Sequence, residues 1–481
     1  MPLVVGVDSS TSACKVEIRD ADTGRLVGSG RAPHPATTPP RSEQHPHEWK
    51  SAFDAAFAAA AHEAGLPGDG RQGVAAIAIG GQQHGMVVSD AAGQVVRPAK
   101  LWNDTESAAD AEALLHELPG GAAAWAEACG SVPVPSFTIT KLRWLRRNEP
   151  EAFARMASVM LPHDWLTAQL TGLATTDRGD ASGTGYWSPA QGTYRFDLLA
   201  LVDPATHWDT MLPEVLGPAE AAGVWQGTDV VVAPGTGDNM AAALGLGARP
   251  GDLVLSLGTS ATAYTVSNRP SADPTGIVAG FADADGRFLP LVCTLNATKV
   301  SDAVARLLGV QPSDLDALAL ASPAGADGLV LVPHFDGERT PNRPDATGTL
   351  SGLRSDVSRQ QLARAAVEGV VCNLLAGADE LAQWEPTVGA DRVILIGGGA
   401  KSAAYRHTVA DLTGRPVVLP EGELVALGAA AQAASVLSGA TLTDIAIAWG
   451  LGTGNTVEPD TSADRAAIRQ AYAAASAHAA R

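Results

Sequence analysis

The sequence predicts an α/β fold that contains an internal repeat. Apolar runs of strand length alternate with helical patterns in both halves of the chain, which is typical of sheets covered by helices. Residues 3–18 and 253–266 share one pattern, an apolar strand, a turn of Ser, Thr or Gly, and a second strand. We therefore expect two similar domains that open with the same hairpin.

The composition describes a globular protein of more than one domain. The 481 residues, 46% hydrophobic and 18% charged, are enough for two or three cores and too apolar for disorder. A net charge of −19 argues against nucleic acid and anionic membranes as partners. No apolar run reaches the roughly 20 residues of a membrane span, and no secretory signal is apparent. The four cysteines lack metal or redox spacing, so we expect a cytoplasmic protein.

Residues 233–260 hold the strongest candidate for chemistry. Asp238 follows a glycine-flanked loop and precedes an alanine-rich helix, whose first N–H groups and dipole favour a negative charge. In the turn at 258–260, Gly-Thr-Ser, backbone N–H and hydroxyl groups can approach a phosphate closely. A base and a phosphate-binding turn so near each other indicate phosphoryl transfer to a hydroxyl. Taken singly, each motif is more typical of an ordinary turn, and Asp238 could also serve as a helix cap.

Two more glycine-bounded strand ends are candidate ligand sites. Gly81-Gln82-Gln83-His84-Gly85 follows the strand predicted at 73–79, and polar groups at such ends often bind ligands. His84 is equally consistent with a structural histidine. Glycines 397–399 join the strand 392–396 to the helix 402–412, an arrangement that suits a nucleotide but lacks P-loop or dinucleotide spacing. The histidines of 34–47 fit no standard metal site and predict a loop.

The remaining elements are predicted from periodicity. Further helices are expected at 49–64, 136–149, 161–170, 300–308, 360–381, 423–434 and 465–480. Further strands are expected at 86–88 and 329–332. Residues 176–184 predict a glycine-rich loop, and residues 203–216 receive no role.

Two long motifs resemble signatures of the FGGY family of carbohydrate kinases, and the likeness extends over essentially the whole chain. The first comprises Ser136-Phe137-Thr138, Lys141-Leu142, Trp144-Leu145 and Arg147-Asn148. The second comprises Gly348-Thr349-Leu350, Gly352-Leu353, Gln361-Leu362 and Ala365-Ala366-Val367-Glu368. Matches of this length are specific, whereas the short glycine motifs alone would not be.

The resemblance implies an actin-like (ribonuclease H-like) ATPase fold with two similar domains around a central cleft. An N-terminal domain at 1–243 would bind the sugar and carry the first phosphate hairpin, and a C-terminal domain at 244–481 would bind ATP. Within the family, three motifs are similar to those of members that convert D-xylulose to D-xylulose 5-phosphate. They are Gly81–Gly85, Leu101-Trp102-Asn103-Asp104 and Gly337-Glu338-Arg339-Thr340-Pro341.

The resemblance also implies roles for single residues. Asp238 would be the general base, and Asp8 would hold Mg²⁺ through water. The implied sugar-binding residues are Gln83, His84, Asn103, Asp238 and Asn239. The implied ATP-binding residues are Thr11, Ser12, Gly258, Thr259, Ser260, Gly398 and Gly399.

Departures from the family pattern keep alternatives open. Gln83 stands where the sugar motif usually has Met, which replaces an apolar contact by an amide, and Ser10 stands where the first phosphate loop usually has Gly. The alternatives are another FGGY kinase acting on a different pentulose, polyol or sugar acid, or a non-catalytic actin-fold sugar sensor. The presence of Asp8, Asp238 and the 258–260 turn favours an enzyme. The sequence leaves a homodimer open.

Overall fold

The computed structural model describes residues 2–479. The helices are α1 Pro46–Glu63, α2 Ala108–Glu117, α3 Gly121–Cys129, α4 Thr138–Asn148, α5 Pro150–Arg155, α6 Pro162–Thr171, α7 Arg178–Ala181, α8 Phe196–Val202, α9 Asp238–Gly245, α10 Thr298–Leu308, α11 Pro312–Leu320, α12 Arg359–Glu380, α13 Ala403–Thr413, α14 Leu424–Ser438, α15 Leu442–Trp449 and α16 Arg465–His478.

The strands are β1 Leu3–Ser9, β2 Ala13–Asp20, β3 Leu26–Pro33, β4 Glu43–Gln44, β5 Ala76–Gly81, β6 Val87–Ser89, β7 Ala99–Lys100, β8 Ser158–Met160, β9 Thr175–Asp177, β10 Trp187–Ser188, β11 Thr193–Tyr194, β12 Glu214–Leu216, β13 Gly223–Val224, β14 Val231–Val232, β15 Thr236–Gly237, β16 Leu253–Leu257, β17 Ala261–Tyr264, β18 Ala279–Ala282, β19 Phe288–Thr294, β20 Val330–Val332, β21 Thr349–Ser351, β22 Val393–Ile396, β23 Val417–Pro420 and β24 Gly454–Val457.

The chain forms two compact units. Unit 1 comprises Met1–Ala248, Asn268–Leu289 and Gly422–Gly452, and unit 2 comprises Arg249–Ser267, Pro290–Glu421 and Thr453–Arg481. The helices α14 and α15, late in the chain, therefore belong to the same unit as the first strand.

Six of the seven strands in each main sheet follow the same order. In unit 1 the order is β13-β14-β5-β1-β2-β3, and in unit 2 it is β24-β23-β22-β16-β17-β19. The first strand of each hairpin is antiparallel to its hairpin partner and parallel to its other neighbour, β5 in unit 1 and β22 in unit 2. The internal repeat predicted from the two hairpins is confirmed.

Alternation along β1 explains how the sheet of unit 1 is covered. Val5 and Val7 lie in one apolar cluster with Trp49 of α1, whereas Val4 lies in a second cluster with alanines of α14. The α14 side is packed very closely, because a Cβ on Gly6 would lie 1.8 Å from the carbonyl oxygen of Ala426. Small residues on α14 and glycine on β1 therefore bring this helix against the sheet.

One local prediction is wrong. Residues 176–184 are not a loop throughout, because β9 covers the first two and α7 the next four after them. Asp177 makes the helix start possible, since its carboxylate accepts hydrogen bonds from the N–H groups of Gly179 and Asp180. The helix predicted at 136–149 begins at Thr138, and the one predicted at 465–480 ends at His478, with residue 480 outside the described part.

Within residues 2–479, no single helix has the length and apolar character to cross a membrane. The bent pair α14 and α15 meets the length and composition test only when the two are taken together.

Candidate active site

The register of three parallel strands builds the candidate site in unit 1. Gly80 of β5 lies opposite Asp8 of β1 on one side and opposite Thr236 of β15 on the other. Gly81 is likewise level with Ser9 and Gly237. The segments that leave these strands, at 10–12, 82–84 and 238–239, therefore start side by side at the carboxyl ends of parallel strands, where α/β folds bind ligands.

Asp238 is the first residue of α9, and Gly237 occupies the N-cap position. The capping role considered for Asp238 is therefore not the one it has. Its Oδ1 accepts a hydrogen bond from Nδ2 of Asn239 over 3.0 Å. Burial, and then the negative charge of Asp8, raises the pKa of Asp238 to about 7. A carboxyl group with such a pKa can accept a proton and lose it again near neutral pH.

Gln83 is buried next to this carboxylate. Its Oε1 accepts a hydrogen bond from Nδ2 of Asn239 over 2.8 Å, whereas its Nε2 is buried without a hydrogen-bond partner in the described chain. A Cβ on Gly237 would lie 2.6 Å from Cγ of Gln83, so the glycine makes room for the amide. One Asn239 amide group thus contacts both Gln83 and Asp238.

The ring of His84 has a fixed orientation. Its Nδ1 lies 2.7 Å from the carbonyl oxygen of Gly183, and its ring stacks on Phe137 with centroids 5.0 Å apart. Phe281 packs against the same ring at 5.6 Å. The backbone of His84 has φ 65°, a left-handed conformation that is uncommon for residues other than glycine.

Asn103 lies on a turn that is held from both sides. Preceding it, Trp102 donates its indole N–H to Oγ1 of Thr11 over 2.9 Å. Following it, Asp104 accepts a hydrogen bond from the fully buried Lys100 over 3.0 Å. The Oδ1 of Asn103 is buried and has no hydrogen-bond partner among residues 2–479. Asn103 is therefore near the turn that contains Thr11, but it does not bond to Gln83 or Asp238.

Three acidic side chains close to Asn103 share one lysine as their ion-pair partner. Glu43, Asp104 and Glu106 bring carboxylate oxygens together in a way that could hold a metal ion. Lys100 forms ion pairs with all three. The positive charge of a buried lysine already compensates these carboxylates, so the cluster is a structural ion-pair network.

Asp8 lies at the end of β1 and is almost fully buried. Lys15 Nζ is 3.1 Å from Oδ2 of Asp8 and 2.6 Å from Oε2 of Glu423, and the hydroxyl of Ser10 donates to Oδ1 of Asp8. Carboxylate oxygen is a ligand type that Mg²⁺ prefers. Because Lys15 already engages one oxygen, the group fits an ion held through water better than a direct chelate.

The nucleotide-binding candidates of unit 2 also meet at strand ends. Ser256 of β16 lies opposite Ile396 of β22, so the 258–260 turn and the glycines 397–399 leave adjacent strands. Gly397 has φ 86°, and a Cβ there would lie 2.5 Å from the carbonyl oxygen of Leu257. Gly398 is exposed with no atom within 4 Å of a hypothetical Cβ, whereas Gly399 is buried. The structure therefore brings the five predicted ATP-binding residues of unit 2 to neighbouring strand ends, namely Gly258, Thr259, Ser260, Gly398 and Gly399.

Thr298 anchors the 258–260 turn, and the sequence analysis did not single it out. Its N–H and its hydroxyl both donate to the carbonyl oxygen of Gly258, over 3.0 and 2.9 Å. The preceding Asn296 donates to Oε2 of Glu338 over 3.0 Å, and Leu295 donates its N–H to Oε1 of the same carboxylate. Glu338 belongs to the 337–341 motif that the sequence analysis singled out. That motif was the only indication in the sequence of the contacts between Glu338 and residues 295–296.

A buried charged cluster lies against Gly81 and was also not predicted from the sequence. Its members are His163, Asp164, Asp177 and Asp180. The Nε2 atom of His163 lies 3.1 Å from Asp164, 3.2 Å from Asp180 and 3.5 Å from Asp177. Burial opposes the charge on the ring, but these carboxylates raise the pKa of His163 to about 9. Two polar stretches, 163–164 and 177–180, carry the residues, and only the fold brings them together.

Comparison with known proteins gives the family. Residues 3–245 match the N-terminal domain of the FGGY family of carbohydrate kinases, and residues 253–437 match its C-terminal domain. The chain therefore belongs to the FGGY family of carbohydrate kinases. It is an enzyme of the sugar kinase class with ATP as substrate, and the predicted actin-like two-domain α/β fold is confirmed.

Two curated relatives and one crystal structure show how similar this chain is to named xylulose kinases. The chain is 49% identical over 463 residues to the xylulose kinase of Streptomyces coelicolor, which covers 94% of this chain and 92% of that protein. It is 48% identical over 470 residues to the xylulose kinase of Streptomyces rubiginosus, with 95% and 92% covered. The crystal structure of xylulose kinase from Bifidobacterium adolescentis superposes with a TM-score of 0.86 at 42% identity, with 99% of each chain covered.

Proposed function

We propose that this protein transfers the γ-phosphoryl group of ATP to D-xylulose and produces D-xylulose 5-phosphate. The observation that carries the proposal is the Asp238 carboxylate, whose pKa is raised to about 7 and which is hydrogen-bonded by Asn239 next to a buried amide donor on Gln83. The choice of sugar is supported by relatives called xylulose kinase at 48–49% identity.

Asp238 is the proposed general base. Its carboxylate accepts the proton of the terminal sugar hydroxyl as that oxygen bonds to the γ-phosphorus. The bond between the γ-phosphorus and the bridging oxygen breaks, and ADP leaves with the electron pair. Because Asn239 engages Oδ1, the second carboxylate oxygen, Oδ2, is assigned to the proton.

Gln83, His84, Asn103 and Asn239 are the proposed sugar-binding residues. The unpartnered Nε2 of Gln83 is a donor, and the unpartnered Oδ1 of Asn103 is an acceptor, so the two amides are complementary to sugar oxygens and hydroxyl protons. A buried polar atom without a partner costs free energy, which a bound hydroxyl recovers. His84, held by Gly183 and Phe137, presents a rigid ring.

Residues proposed to bind the nucleotide lie in unit 1 and in unit 2. In unit 1, Thr11 and Ser12 follow β1 and would offer N–H and hydroxyl groups to phosphate. In unit 2, the turn residues Gly258, Thr259 and Ser260 would do the same, while Gly398 and Gly399 leave room for adenosine.

Asp8 is the proposed residue for Mg²⁺, held through water. When bound to the nucleotide, Mg²⁺ neutralises charge on the phosphate oxygens. The protein's own contribution is to keep the Asp8 carboxylate oriented, through the Ser10 hydroxyl and the ammonium group of Lys15.

The experiment is a coupled assay of ADP release with the purified protein. The panel contains D-xylulose, D-ribulose, xylitol, glycerol and gluconate, each with ATP and Mg²⁺, and ³¹P NMR identifies the product. We expect kcat/KM for D-xylulose to exceed that for every other compound by at least about tenfold, a difference of roughly 1.4 kcal/mol. A higher kcat/KM for a polyol or for gluconate would contradict the proposed substrate.

A further inference from the structure

Each residue of the segment 235–237, which leads into Asp238, is held by a specific contact. Gly235 donates its N–H to Oε1 of Gln432 over 3.0 Å and accepts a hydrogen bond from Nε2 of the same side chain over 3.1 Å. Gly237 packs against the side chain of Gln83. Between them, Thr236 is fully buried, and its hydroxyl donates to Oδ2 of Asp177 over 2.7 Å.

Asp177 connects this loop to the buried charged cluster. Its Oδ2 also accepts the N–H of Gly179 over 2.8 Å, and its Oδ1 accepts the N–H of Asp180 over 3.0 Å. Oδ1 also faces His163 Nε2 at 3.5 Å. A carboxylate with this many partners has one orientation, so the hydroxyl of Thr236 has one acceptor position.

The imidazole of His163 also touches the loop by packing. A Cβ on Gly235 would lie 2.9 Å from Nδ1 of His163, and a Cβ on Gly81 would lie 2.9 Å from Cβ of His163. The ring is fully buried, and Asp164, Asp177 and Asp180 surround its Nε2. The cluster therefore lies directly behind the two strand ends that carry Asp238 and Gln83.

We propose that Asp177 and Thr236 are positioning residues for Asp238. The hydrogen bond between them fixes the backbone two residues before the base and so sets where the carboxylate lies relative to the sugar hydroxyl. Nothing in their side chains contacts the reacting atoms. This inference rests on the proposed function, because it assigns Asp238 the role of base.

The effect should fall on turnover more than on binding. A displaced base leaves the contacts of ATP intact, and misplacement by about 1 Å can cost on the order of 10²-fold in rate. Thr236→Val keeps the shape of the side chain and removes the hydroxyl. Thr236→Ser keeps the hydroxyl and removes only a methyl group.

The chain offers a matched control in Thr167 of α6. Thr167 is also fully buried in unit 1, and its hydroxyl has no hydrogen-bond partner among residues 2–479. Thr167→Val therefore makes the same chemical change with no such bond to lose. We expect Thr167→Val to keep kcat and KM within about twofold of the original values.

The experiment measures kcat, KM for D-xylulose, KM for ATP and thermal melting for these variants. We expect Thr236→Val to lower kcat by between about tenfold and 10²-fold, with KM for ATP changed less than about twofold. We expect Thr236→Ser to recover kcat to within about threefold. If Thr236→Val does not fold, Asp177→Asn tests the same bond, since asparagine keeps one side-chain oxygen to cap α7 and puts an NH2 group, which cannot accept, in place of the other carboxylate oxygen.

Several outcomes would overturn the inference. They are a folded Thr236→Val protein with normal kcat, an equal loss in the Ser and Val variants, or a parallel rise of both KM values. Loss of activity in Asp238→Asn without loss in Thr236→Val overturns the positioning role alone. Normal turnover in Asp238→Asn overturns the base, and with it both the proposed mechanism and this inference.

Discussion

The side-chain amide of Asn239 donates a hydrogen bond to Oε1 of Gln83 over 2.8 Å, although the two residues are 156 positions apart. Because Oε1 is taken, the other end of the Gln83 amide, the Nε2 donor, is the end left for a ligand. This contact also connects the 81–85 motif to Asp238, since the same Asn239 nitrogen donates to the carboxylate.

The orientation of Gln83 predicts the effect of Gln83→Glu. The variant keeps the shape and can still accept the Asn239 bond, but it replaces the donor by an acceptor. We expect KM for D-xylulose to rise at least about tenfold, because a buried acceptor now faces a sugar oxygen. Steady-state kinetics with KM for ATP as internal control measure this, and an unchanged sugar KM would mean that Gln83 does not contact the substrate.

His84 can be tested without disturbing its backbone. Asparagine tolerates the left-handed conformation that His84 has, and its amide can still donate toward the carbonyl oxygen of Gly183. We expect His84→Asn and His84→Ala both to raise KM for D-xylulose several-fold while KM for ATP stays within about twofold. Equal increases in both constants would indicate that His84 is only structural.

The pKa of Asp238 predicts a pH dependence. Burial and Asp8 raise this pKa from 3.8 to about 7, so the carboxyl group is protonated, and inactive as a base, at pH values where an ordinary aspartate is ionised. kcat/KM for D-xylulose at saturating ATP, which reports on the enzyme before the sugar binds, should fall about tenfold per pH unit below pH 7. A constant value from pH 5.5 to 8 would contradict the raised pKa.

Thr298 predicts a separate effect on the nucleotide. Thr298→Val removes the hydroxyl bond to the carbonyl oxygen of Gly258 and leaves the N–H bond in place. A hydrogen bond of about 1 kcal/mol corresponds to roughly a fivefold rise in KM for ATP, with KM for D-xylulose unchanged. The control is Thr408→Val, because Thr408 is fully buried in unit 2 and its hydroxyl has no hydrogen-bond partner in the described chain. The same rise in the control would exclude a specific role for Thr298.

Local patterns were enough to predict the hairpins and most of the helices. Residues 3–18 and 253–266 each combine an apolar strand with a turn of small polar residues, and both form antiparallel pairs. The strand at 392–396 and its glycines were equally readable, because glycine marks where a chain must turn without a side chain. These features depend on neighbours in sequence, so no tertiary information was needed.

Contacts between distant segments could not be predicted. The hydroxyl of Thr236 donates to Asp177, 59 positions away, and no local pattern in the sequence indicates that these two residues meet. The error at 176–184 has a local cause, because glycine and serine are typical of a loop but do not exclude a short capped helix. The Asp177 carboxylate caps the following turn and makes it helical.

The substitution Asp238→Asn tests whether this carboxylate is the general base. The variant keeps the shape of the side chain and removes its basicity. Because Gly237 and not Asp238 is the N-cap residue, the substitution does not act through a helix cap. kcat with D-xylulose is measured beside equilibrium binding of ATP and thermal melting. We expect a folded protein that binds ATP normally and whose kcat is lower by roughly 10²–10⁴-fold. A folded Asp238→Asn protein with near-normal kcat would contradict it.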